Sequence, residues 1–126
     1  MVSSFQEFAD KFKIEAERAI KAELSKRSLL ERIGFGFFMP LTVNIVTDQG
    51  VASLTILQDG TVHLSQRLSP NPDSTIQAHF ETLEHIYYKR DRTQFTQAEA
   101  EGRIKITSYS LKGQQAEGKL RELLGH

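Results

Sequence analysis

Three short runs in the middle of the chain alternate apolar and polar residues, and the gaps between them leave room only for tight turns. Leu41, Val43 and Ile45 alternate with Thr42 and Asn44; Ala52, Leu54 and Ile56 with Ser53 and Thr55; Val62 and Leu64 with Thr61, His63 and Ser65. A period of two places alternate side chains on opposite faces of a strand. Asp48-Gln-Gly50 and Gln58-Asp-Gly60 fill the gaps with Gly-terminated turn sequences. Turns this short fix the register and make neighbours in sequence neighbours in the sheet. The centre of the chain is thereby constrained to an antiparallel meander of three strands. Its apolar face has to be buried against other elements.

The flanks supply the cover. From Phe5 to Leu24 the residues Phe5, Phe8, Ala9, Phe12, Ala16, Ala19, Ile20 and Leu24 fall at helical spacing, opposite Glu7, Lys11, Glu15, Arg18 and Lys21. Ser3 and Ser4 are candidate N-caps, and Ser28 with Glu31 has capping-box spacing for a short second helix, Leu29 to Ile33, stopped by Gly34. After the meander, Ser69-Pro-Asn-Pro-Asp73 cannot continue a strand, because proline lacks an N–H and restrains its predecessor. Ile76, Ala78 and Phe80 mark a fourth strand. The period then turns helical with Phe80, Leu83, Ile86 and Tyr87, and Lys89-Arg-Asp-Arg92 ends that helix. Phe95 to Glu101 adds another short helix, released by Gly102. Ile104 and Ile106 alternate with Arg103, Lys105 and Thr107 in a fifth strand, and Leu111, Ala116, Leu120, Leu123 and Leu124 mark a last helix from about Ser110. Gly113 and Gly118 each cost about 1 kcal/mol relative to alanine inside a helix, so this end is expected to be the loosest. The expectation is one α+β domain, residues 1–126, with a five-stranded antiparallel-rich sheet covered by helices.

Charge and composition remove several functions. Sixteen Lys and Arg balance sixteen Asp and Glu. Residues 1–32 hold seven basic and six acidic side chains and residues 80–126 eight and seven, so neither end has the one-sided basicity that draws a protein to nucleic acid. The absence of cysteine excludes disulfides, thiolate nucleophiles and Cys-based metal sites. No apolar run approaches the roughly 18 residues of a membrane span, and none resembles a signal peptide, so the expected compartment is the cytoplasm. His63, His79, His85 and His126 have no metal-ligand spacing, and no Gly-x-Ser-x-Gly elbow is present. Gly34-Phe-Gly36 lacks the third glycine and the preceding strand of a dinucleotide fingerprint. No catalytic residue, metal ligand or cofactor is assigned, and the chain is read as a non-enzyme.

Thr75-Ile-Gln-Ala-His-Phe-Glu-Thr-Leu83 and Glu101-Gly-Arg-Ile-Lys-Ile106 before an amphipathic helix, together with the long first helix and the meander, resemble the sterol carrier protein 2 (SCP2-like) domain. The specific part covers about residues 74–124; Gly102-Arg-Ile-Lys-Ile106 matches the family's strand, whereas Thr107-Ser-Tyr-Ser110 and Lys89-Arg-Asp-Arg-Thr93 depart from its pattern. The resemblance implies helices over one face of the sheet and, between them, an apolar tunnel for a fatty acid, fatty acyl-CoA, sterol or other lipid. The partner is then a small apolar ligand, not nucleic acid, with transient membrane contact.

Phe35, Phe37, Phe38 and Met39, between Gly34 and Pro40, are the apolar surplus in a stretch where a surface loop would be polar. They either plug the gap between the second helix and the sheet or line a ligand, and methionine can conform to different tails. Leu83, Ile86, Tyr87, Phe95, Leu111 and Leu120 complete the candidate lining, with Tyr87 expected to be partly buried. The rival reading keeps the scaffold with a filled core, as an accessory protein beside enzymes of lipid-soluble substrates.

Overall fold

The computed structural model describes residues 4–26, 40–89 and 92–125. In chain order the elements are α1 (Ser4–Lys26), β1 (Leu41–Val46), β2 (Val51–Ile56), β3 (Val62–Ser65), β4 (Ser74–Ala78), α2 (Phe80–Lys89), α3 (Arg92–Ala100), β5 (Ile104–Ser108) and α4 (Leu111–Gly125). The expected short helix at Leu29–Ile33 lies outside the described residues.

The five strands form one mixed sheet in the order β3-β2-β1-β4-β5. The meander is antiparallel in the register set by its turns, with Val43 opposite Leu54 and Leu54 opposite Leu64. β5 also pairs antiparallel with β4, Ile106 opposite Ile76. The central pairing is parallel: β4 lies beside β1 with Ile76 next to Ile45. Such a pair needs a long crossover, and β2, β3 and the proline loop provide it. The loop is pinned by Asn44, whose buried side chain accepts from the Ser69 N–H at 2.9 Å and donates to the Ser69 carbonyl at 3.0 Å.

Partners in register share a face, which sorts the strands cleanly. Leu41, Val43, Ile45, Ala52, Leu54, Ile56, Val62, Ile76 and Ile104 are buried on one face, beneath the helices. The other face carries Thr42, Asn44, Ser53, Thr55, His63, Thr75, Gln77, Lys105 and Thr107. α1 crosses β2 and β3, while α4 lies against β5, β4 and β1. The stripe Phe5, Phe8, Ala9, Phe12, Ala16 and Ile20 of α1 is buried as its spacing predicts.

The fourth strand ends sooner than its alternation suggests. Ala78 is the last strand residue and Phe80 opens α2. The cause is remote: Asp48, in the β1–β2 turn, accepts the Phe80 N–H at 2.8 Å and so supplies the cap for a helix distant in sequence. Phe80 is thereby turned into the core, edge-on to Phe5 and Phe8.

The outer edge of β3 is closed by α1. Glu17 accepts the Val62 N–H at 2.9 Å, a donor that would otherwise be open to another strand. That bond is the main cause holding the Glu17 carboxyl below its ordinary pKa; desolvation opposes it, and Lys13 and Lys21 add to it. A carboxyl lowered on folding contributes stability above its unfolded-state pKa and loses it as pH falls through the folded value. Glu17→Gln is therefore expected to flatten the acid limb of stability below about pH 4.5. Urea midpoints of both proteins measured from neutral pH downward check this; a constant gap between them at every pH would contradict it.

Candidate functional site

Of the six candidate lining residues that fall within the described part of the chain, five lie in the layer between sheet and helices. Leu83, Ile86 and Tyr87 of α2, Phe95 of α3 and Leu120 of α4 are all buried in the continuous apolar core. Leu111, 65% exposed at the start of α4, is on the outer side of its helix. Phe35, Phe37, Phe38 and Met39 lie outside the described residues. Pro40, which follows that run, is held by the Lys112 ammonium, which donates to its carbonyl at 2.9 Å.

Tyr87 is more deeply placed than its partial burial in the sequence reading, being only 1% exposed. Its ring stands edge-on to Phe8 at 5.1 Å and to Phe12 at 5.8 Å between centroids. Its hydroxyl donates to the carboxylate of Glu15 on α1. Phe8 and Phe12 in turn stack at 5.7 Å. These α1 rings complete the surroundings of Tyr87 and were absent from the candidate lining, although their helical spacing with Phe5 was visible. What could have marked them is size: three phenylalanines on one stripe bring a large apolar area that has to be buried in the same layer. Tyr88 is 44% exposed and lies under the Lys11 ammonium, 4.9 Å from the ring centroid. Burial first, then the carboxylates of Glu84, Glu7 and Glu15, raises its hydroxyl above the ordinary pKa.

A polar junction ties β1, β4, β5 and α4 together on the far side of this layer. Asp73 accepts the Thr42 N–H at 2.9 Å and the Ser110 hydroxyl at 2.7 Å, while its own carbonyl accepts the Tyr109 N–H at 2.8 Å. Ser110 caps α4 by accepting the Gly113 N–H at 3.1 Å. Ser74 and Ser108 share a hydrogen bond at 3.0 Å, and Ser108 donates onward to Glu117 at 2.5 Å. Gly113 is buried here, and a Cβ on it would stand 2.1 Å from the Asp73 carbonyl oxygen. The glycine that looked like a loosening residue is therefore the one that lets α4 approach the sheet.

The open face of the sheet has a separate feature at the end of β4. Val46, Gln77 and Lys105 lie side by side across β1, β4 and β5 and floor a groove of about 570 Å³. Thr47 and Asp48, His79, and Gly102 and Arg103 rim it from three different connections. His79 Nδ1 is 3.6 Å from Asp48 Oδ2, and Arg103 Nε donates to Glu101 at 3.1 Å. The Phe80 N–H is the main cause holding the Asp48 carboxyl below its ordinary pKa. Among the described residues no group of three or more His, Asp or Glu is placed to hold a metal ion. Nor is any helix among them long and apolar enough to cross a membrane.

A mixed five-stranded sheet in this order, with its helices on one face, defines the SCP2-like α+β fold. Superposition on solved structures bears this out over the length of the chain. A UbiJ-SCP2 ubiquinone synthesis protein matches with a TM-score of 0.53 at 14% identity, over 98% of this chain and 96% of that one. The sterol carrier protein 2 of Yarrowia lipolytica, in its apo form, gives 0.52 at 12% identity, over 100% and 98%. A double mutant of a sec-alkyl sulfatase gives 0.50 at 23% identity, over 68% of this chain but only 13% of the sulfatase. Neither a family model nor a curated sequence matches the chain.

Proposed function

We propose that this chain is a non-catalytic domain that binds and carries a lipid: a fatty acid, a fatty acyl-CoA or a sterol-like molecule, held between the helices and the sheet. The observation that supports this most is the end-to-end correspondence with two SCP2 structures, one of them named for sterol carriage. Phe35, Phe37, Phe38 and Met39 close on the ligand in this reading; Leu83, Ile86, Tyr87, Phe95 and Leu120 form the inner wall, with exposed Leu111 at the mouth. Each ligand methylene taken out of water contributes about 0.8 kcal/mol, so a long acyl chain binds without a polar contact. The carrier works in the cytoplasm and meets membranes transiently, during exchange.

A second reading rests on one specific observation. Phe8, Phe12, Phe80 and Tyr87 are fully buried and occupied with one another. A core filled in this way suits an accessory protein that acts beside enzymes of lipid-soluble substrates, and the name of the ubiquinone synthesis neighbour is in keeping with it. Native mass spectrometry of the purified protein, followed by displacement of a fluorescent fatty acid, separates the two. The carrier is expected to retain lipid and to give a displaceable, saturable signal. Protein that is lipid-free and silent toward the probe would sink the carrier reading and leave the accessory one.

A further inference from the structure

The groove on the open face of the sheet is chemically unlike the apolar layer, and the sheet separates the two. Its donors outnumber its available acceptors. Asp48, the groove's acidic residue, has Oδ1 occupied by the Phe80 N–H and Oδ2 facing His79. Glu101 occupies Nε of Arg103, which leaves the two Nη groups to donate. Lys105 forms no ion pair among the described residues, and beside it stands the amide of Gln77. Arg103 takes its place because Gly102, at φ 77°, turns the chain out of α3 in a conformation that disfavours side chains. Nothing lies within 4 Å of where a Gly102 Cβ would be, so the backbone there is open to a visitor.

We propose that this groove binds a phosphate group, with Arg103 and Lys105 as its charged donors, Gln77 as a neutral one and His79 at the rim. Guanidinium and ammonium groups form their strongest hydrogen bonds with oxyanions, and the guanidinium fork matches phosphate geometry. A groove of about 570 Å³ also has room for a small polar moiety attached to the phosphate. The phosphate belongs either to a soluble metabolite or to the headgroup of a lipid. The site is independent of the apolar layer, and its failure would leave the carrier reading untouched.

The test is a titration of the isotope-labelled protein with inorganic phosphate at constant ionic strength, followed through its backbone amides. Saturable shifts centred on Gln77, His79, Arg103 and Lys105 are expected, with chloride alone giving none. Lys105 is exposed, so Lys105→Ala should keep the dispersed spectrum of the folded chain while weakening binding about tenfold, the loss of one charge-assisted bond. Lys105→Glu should abolish it. Flotation with phosphatidylcholine vesicles, with and without phosphatidic acid, distinguishes the sources. Binding only to the phosphatidic acid vesicles, reversed by Lys105→Glu, assigns the phosphate to a lipid; response to free phosphate without flotation assigns it to a soluble molecule. Absence of both, or binding that survives Lys105→Glu, overturns the proposal.

Discussion

Alanine in place of Gly113 is expected to destabilise the protein by about 3 kcal/mol, although alanine is the better helix former. The added methyl would sit 2.1 Å from the Asp73 carbonyl oxygen, 2.8 Å from its carbon and 2.6 Å from Ser74 Oγ. Two of those three atoms are backbone, and that backbone is held by hydrogen bonds to Thr42 and Tyr109. The sheet cannot give way, so α4 must move, and the roughly 1 kcal/mol gained in helix propensity is outweighed. A fall in Tm of roughly 10 °C should result. Gly118, five residues along the same helix, provides the control, because nothing lies within 4 Å of the corresponding position. Gly118→Ala should stabilise by about 0.5 to 1 kcal/mol. Thermal melts of the two variants that moved in the same direction would refute the close approach as the reason for Gly113.

The second large effect belongs to Phe8. Its ring is fully buried and meets Phe5, Phe12, Phe80 and Tyr87, so it joins α1 to the first residue and the last turn of α2. Phe8→Ala is expected to cost about 3 to 5 kcal/mol, from lost transfer energy and the cavity left behind. Against a typical total of roughly 5–15 kcal/mol, that takes the protein close to the limit of cooperative folding. Phe8→Leu, which keeps most of the volume, should cost no more than about 2 kcal/mol. Urea unfolding measures both. A cost below about 1 kcal/mol for the alanine variant would mean that the ring borders open space instead of a packed wall.

These two residues also show how much the sequence reveals. Phe8 was legible, because a stripe repeating every three or four residues can be read directly from spacing, and the meander was legible for a similar reason: its Gly-terminated turns are local. The place of β4 was not. Nothing near Ile76 indicates that it will lie parallel to Ile45, since the instruction is spread over Asn44, Ser69, Asp73 and Thr42. Phe80 fitted both the strand alternation and the helical period, and the side chain that decides between them, Asp48, is 32 residues away. Gly113 carries a packing requirement that a propensity scale reads as a penalty.

The side of α2 that carries Leu83, Ile86 and Tyr87 is buried, and that direction was legible because apolar residues three and four positions apart share one helical face. Leu111 illustrates the opposite case. It is nine residues before Leu120, which at about 3.6 residues per turn is two and a half turns, so the two point to opposite sides of α4. That arithmetic was available from the chain alone. The groove with Arg103 and Lys105 was beyond reach, since it is assembled from three connections that share no pattern in sequence.

The parallel pairing at the centre of the sheet has a consequence for how the protein is made. It divides the chain into two contiguous parts, α1 with β1 to β3, and β4 onward, which meet along one strand pair and the helix layer. A ribosome delivers the first part complete before the second exists. Throughout that interval the inner edge of β1 has no β4, and the rings of Phe8 and Phe12 have neither Phe80 nor Tyr87. An unpaired strand edge and an uncovered aromatic stripe are the features that most favour association with the wrong chain. The nascent chain is therefore most exposed to aggregation in the span between the emergence of Ser65 from the ribosome and that of Tyr87.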